Sequence, residues 1–135
     1  ILLLNKRIDA ARGAIFGLIG FVIFIFSPSL GLPPELPGVN AAELSIRQVW
    51  WLSTVLATGL GLWMLILHKR IIVKTVGVII ISLPHLLGSP EPPALSFNLP
   101  AELVAQFVSS SLLVAAVFWV MLGWVSGAVY KRLSN

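Results

Sequence analysis

Two proline-rich stretches of this 135-residue chain hold most of its groups able to bind or steer a cation. Pro28 to Trp51 reads PSLGLPPELPGVNAAELSIRQVWW and carries Glu35, Glu43, Arg47 and Gln48. Pro84 to Glu102 reads PHLLGSPEPPALSFNLPAE and carries His85, Glu91 and Glu102. Carboxylate oxygens and imidazole nitrogens together suit divalent first-row cations such as cobalt or nickel. Glu35, His85 and Glu91 are the candidate metal ligands. Glu43, Arg47, Gln48 and Glu102 are supporting polar residues of the same face. His85 follows Pro84, which breaks a helix and frees backbone carbonyls able to line a cavity. Arg47 can neutralise the acids or pair with Glu43 four residues earlier. There is no Ser/His/Asp arrangement, no acid pair within an apolar run and no Gly-rich phosphate loop, so the chain does not read as an enzyme. It contains no cysteine, which excludes a disulfide frame and thiolate chemistry. No permanently bound cofactor is expected, and a divalent cation would be cargo.

The elements that must position these residues are membrane helices. Hydrophobic residues make up 58% of the chain and charged residues 10%, against about 25% charged in a soluble domain. Mean hydropathy is +0.99. The net charge of +4 does not indicate nucleic acid, because the basic residues sit at the ends of apolar runs and not in one patch. The opening run Ile1–Leu4 reads as the tail of a preceding membrane helix in a longer protein whose N-terminal part is missing. A short basic loop, Asn5–Arg12, follows. Four apolar segments are predicted as helices: about Gly13 to Phe26, with room to reach Leu30; Asn40 to Leu67; Ile71 to Leu87; and Pro100 to Tyr130. Asn40 with Glu43 forms a capping-box-like start for the second. Pro100 and Glu102 start the fourth. Pro84 predicts a kink or early unwinding in the third.

The two proline-rich stretches share a layout. A Pro is followed by Leu two residues later, then Pro-Glu, another Pro, and Ala-Glu-Leu. Pro28 to Pro84 and Glu35 to Glu91 are both separated by 56 residues, and Glu43 to Glu102 by 59. The fold class expected is therefore all-α: a single transmembrane domain over 1–135, a bundle of four helices arranged as two parallel-repeat hairpins, about 13–70 and 71–132. Small-residue stripes, Gly13/Gly17/Gly20, Ser53/Ala57/Gly61 and Gly123/Gly127, predict close helix packing. If the helices alternate in direction, eight of the nine Lys and Arg residues fall on one side and Arg47 on the other. The basic side and the C-terminus are then cytoplasmic, the proline-rich loops periplasmic or extracellular, and the protein a multi-pass plasma (inner) membrane protein.

The runs DAARGAIFGLIGF, FSPSLGLPPELPG, RQVWWL, LPHLLGSPEPP, PAELVAQFV and FWVMLG resemble the CbtA family, described as the membrane subunit of a predicted cobalt transporter. The most specific pieces are Leu32–Gly38, Arg47–Trp51 and Pro84–Pro93. The resemblance spans Asp9 to Arg132, and family members are longer at the N-terminus. It implies cobalt uptake for cobalamin synthesis, with Co2+ as the transported ion, and a partner, CbtB, with one helix and a histidine-rich tail. The carry-over reaches Glu35, Arg47, Gln48, His85 and Glu91. Two functional readings follow. In one the chain is the membrane subunit of a divalent-metal uptake system whose acidic outer loops gather the ion. In the other it is a non-transporting accessory or assembly subunit that docks into a larger membrane complex through its Gly-rich helix faces. The absence of an ionisable group at the membrane midplane favours the second reading.

Overall fold

The computed structural model describes residues 8–36, 42–90 and 100–134. Among them are four helices and no strands. Helix α1 spans Ala10–Ser29, α2 Leu44–Leu67, α3 Ile71–Leu87 and α4 Ala101–Leu133. Helices α1, α2 and α4 are each long and apolar enough to cross a membrane, and α3 is a shorter apolar helix. Few large apolar side chains are buried, Phe21 and Val55 among them, while the best-buried polar ones are Thr54, Thr58 and Ser27. Apolar residues face outward along all four helices, as a protein solvated by lipid requires.

Helix α1 starts earlier than its glycines suggest. Asp9 is extended and its carboxylate accepts from the Arg12 N–H at 2.9 Å, which satisfies a donor that the first turn leaves open. Residues Ala10–Arg12, expected in the basic loop, are therefore helical. Near its other end α1 widens into a π-turn over Val22–Phe26 before closing with Ser27–Ser29. Pro28 accounts for this. It has no N–H to give the Phe24 carbonyl, and its ring would collide with that carbonyl in a regular turn. One extra residue in the turn relieves the collision. The released Phe24 carbonyl accepts from the Trp51 indole N–H of α2 at 3.2 Å, so the defect in α1 becomes a link to α2.

Helix α2 begins at Leu44 with Glu43 before it. Ala42 and Glu43 are not helical, so the expected start at Asn40 is corrected. Ser45 donates to the Glu43 carboxylate at 2.7 Å. The helix stops at His68, whose backbone is extended, and α3 starts after Arg70. Pro84 is accommodated within α3, which continues to Leu87 instead of unwinding. It ends at Gly88, whose φ of 89° lies in the left-handed region that glycine adopts without strain. Helix α4 runs to Leu133, past the expected end at Tyr130, with Glu102 in its first turn and Lys131 and Arg132 in its last, both favourable to the helix dipole. Ile1–Leu4, Asn40 and Glu91 lie outside the described residues.

The helices pack as two pairs. Gly13 and Gly17 of α1 meet Gly123 and Gly127 of α4 backbone to backbone: a Cβ on Gly13 would fall 2.9 Å from the Gly127 Cα. Gly20 accepts the Trp119 ring, and Phe24 stacks on the same ring at 5.6 Å between centroids. In the second pair Gly61 of α2 meets Gly77 and Ile81 of α3. Gly13, Gly17, Gly61, Gly123 and Gly127 thus each pack against another helix of this chain. The stripe buried on α2 is Thr54, Thr58 and Gly61. Ser53, expected in that stripe, is exposed and bonds back to the Val49 carbonyl. The two pairs join where the π-turn and last turn of α1 touch α2; α4 approaches neither α2 nor α3.

Candidate functional site

The junction of the two pairs is polar. Ser27, in the last turn of α1, is 4% exposed and Thr58 of α2 is 2% exposed; their hydroxyls lie 2.7 Å apart. Nε2 of His85, in the last turn of α3, lies 3.3 Å from the Ser27 Oγ. Three helices thus converge on three side chains. With the imidazole proton on Nδ1, Thr58 donates to Ser27 and Ser27 donates to Nε2. The bond at 3.3 Å is long, so the Nε2 lone pair is only weakly committed and can be given to a better acceptor of electron density.

Trp50 fixes the imidazole from the other side. Its ring meets His85 edge-on with 5.9 Å between centroids, and its N–H donates to the Gly88 carbonyl at 2.9 Å. Gly31 lets the chain after α1 close over this group: a Cβ there would overlap the Trp50 ring and come within 2.9 Å of the Ser89 Cβ. The described parts of the two proline-rich loops therefore touch. Ser27, Thr58 and His85 line a cavity of about 470 Å³ whose remaining wall is nearly all apolar, including Val22, Phe26 and Ile81.

Glu35 lies in a second, separate cavity of about 380 Å³, with Arg47, Trp51, Ser29 and prolines 28, 33 and 34. Its carboxylate pairs with the Arg47 guanidinium at 3.3 Å, each side chain about 30% exposed. The expected Glu43–Arg47 pair is replaced by this one. Glu43 instead takes the Ser45 hydroxyl. Glu102 is exposed at the start of α4 and Gln48 is exposed on α2. The structure therefore brings Arg47 to Glu35, and His85 to Ser27 and Thr58, and lines the two cavities with different residues. Among the described residues, no three histidine or carboxylate side chains form a group able to hold a metal ion. Ser27 and Thr58 escaped the sequence reading because a hydroxyl in an apolar run usually bonds back to its own helix. The available signal was the spacing of Thr54, Thr58 and Gly61 along one face of α2.

Residues 1–131 match the family model described as "Probable cobalt transporter subunit (CbtA)". The chain belongs to the CbtA family. No curated protein and no solved structure matches it. As a CbtA-family member with three membrane-length helices, it is a multi-pass membrane protein of a family described as a probable cobalt transporter subunit.

Proposed function

We propose that the chain is the membrane subunit of a cobalt uptake system, with the basic helix ends cytoplasmic and the proline-rich loops outside. The observation that carries this reading is the His85 imidazole, held by Trp50 and Ser27 at a cavity between membrane-spanning helices. An imidazole nitrogen prefers cobalt and nickel to magnesium or calcium. Glu35 and Glu91 gather the cation at the loops. The Glu35–Arg47 pair is exposed enough to be worth about 1 kcal/mol or less, so a divalent cation can take the carboxylate from the guanidinium. His85 supplies one ligand at the head of the cavity. The further donors come from Glu91 and from a histidine-rich partner, which accords with a family of subunits.

The alternative is an accessory subunit that only docks; several of the glycines offered for docking, Gly13, Gly17, Gly61, Gly123 and Gly127, pack within the chain, and cobalt uptake separates the two readings. Radiolabelled cobalt uptake tests the proposal. His85→Ala, Glu35→Ala and Glu91→Ala should each reduce saturable uptake at unchanged membrane abundance, His85→Ala by tenfold or more (roughly one lost ligand, about 1.4 kcal/mol per decade). Unchanged uptake in all three variants would rule out these ligands.

A further inference from the structure

Beyond the metal path, we infer that the groove between α1 and α2 at their basic ends is a binding site for one acyl chain of an anionic phospholipid. The groove is lined by Phe16, Ile19 and Ile23 of α1 and by Gly59, Trp63 and Leu67 of α2, among others, and is almost wholly apolar. It exists because the two helix pairs join only through the end of α1 that carries Pro28. Gly59 faces into it: a Cβ there would meet only the Ile23 Cγ2, at 3.9 Å.

Its dimensions select the occupant. The volume is about 260 Å³, and the lining from Gly59 to Leu67 extends roughly 12 Å at 1.5 Å per residue. A narrow apolar slot of this length suits a single hydrocarbon chain.

Positive charge follows the groove in the chain. Leu67 lines it and is followed by His68, Lys69 and Arg70; Lys69 and Arg70 are both exposed. Trp63 lines it too, and its ring meets the His68 ring at 4.7 Å between centroids. The His68 Nδ1 is buried and has no hydrogen-bond partner among the described residues. An apolar slot followed, two and three residues past its lining Leu67, by two exposed cations is complementary to a phospholipid carrying net negative charge.

The test uses the full protein, purified in mild detergent, stripped of lipid and titrated with phosphatidylglycerol or phosphatidylcholine. Bound lipid is counted by native mass spectrometry. One phosphatidylglycerol should bind at least tenfold more tightly than phosphatidylcholine. Lys69→Gln with Arg70→Gln should reduce that preference about tenfold or more, since each cation near the headgroup contributes comparably. Gly59→Leu should fill the slot and lower retention of both lipids, whereas Gly59→Ala should leave it nearly unchanged. Should Gly59→Leu fail to fold, the Lys69/Arg70 variant decides. Equal binding of the two lipids by the unaltered protein, or a preference unaffected by the Lys69/Arg70 change, would overturn the inference. So would retention unaffected by a folded Gly59→Leu protein.

Discussion

The Ser27 hydroxyl is the smallest group on which the junction of the helices depends. Removing it in Ser27→Ala takes this partner from the buried Thr58 hydroxyl and frees the His85 nitrogen. Hydrogen bonds between membrane helices average about 0.6 kcal/mol and reach about 1.7, so a loss near 1 kcal/mol is expected, read from thermal unfolding in detergent. Thr58→Val should behave alike and Thr58→Ser should be nearly neutral; equal losses in both Thr58 variants would indicate shape and not the hydroxyl. At the start of α1, the Arg12 N–H holds the Asp9 carboxyl below the usual carboxylate range. A lowered folded-state value means that the cap contributes at pH above the ordinary carboxylate pKa and is lost as pH falls through the lowered one. Hydrogen exchange at the Arg12 amide should therefore accelerate on acidification relative to the intrinsic rate, and Asp9→Ala should abolish that dependence. At this scale residue chemistry was legible in the sequence and pairing was not. Arg47 satisfies the four-residue rule with Glu43, but Glu43 sits at the helix boundary with Ser45, and the loop after α1 brings Glu35 to Arg47 instead.

Helix existence was legible, because long apolar runs have no other state in a bilayer. The partner of each helix was not. A glycine stripe states that a backbone comes close but does not say which one. The loops suggest hairpins of α1 with α2 and α3 with α4, whereas the tightest packing joins α1 to α4 and α2 to α3. Gly17→Ala distinguishes the observed pairing. Its Cβ would overlap the Trp119 carbonyl and fall 3.3 Å from the Gly123 Cα, so α1 and α4 must separate. Overpacking of this kind costs about 1–3 kcal/mol, which thermal unfolding would register. Gly59→Ala, facing open space, should register little. A reversed order would contradict the packing. The π-turn was also hidden: Val22–Phe26 is uniformly apolar, and only the missing N–H of Pro28 marks where the regular ladder must fail.

For the molecule as a whole, composition predicted a bilayer protein and the structure supplies helices suited to one. The candidate site was half legible. His85 could be found from Pro84 and the loop that follows, and it does head a cavity between helices. The Glu35 partnership could not, since it depends on how a proline-rich segment lies across α2. Two helix pairs joined at one end through Ser27, Thr58 and His85 place His85 where the pairs meet. A system that takes up cobalt through this junction should depend on it. The most direct measurement is radiolabelled cobalt uptake by cells expressing the whole gene, with and without a small histidine-rich partner. Saturable uptake above that of cells lacking the protein, reduced by His85→Ala, is the predicted result. Background uptake under both conditions, with the protein present in the membrane, would contradict the account.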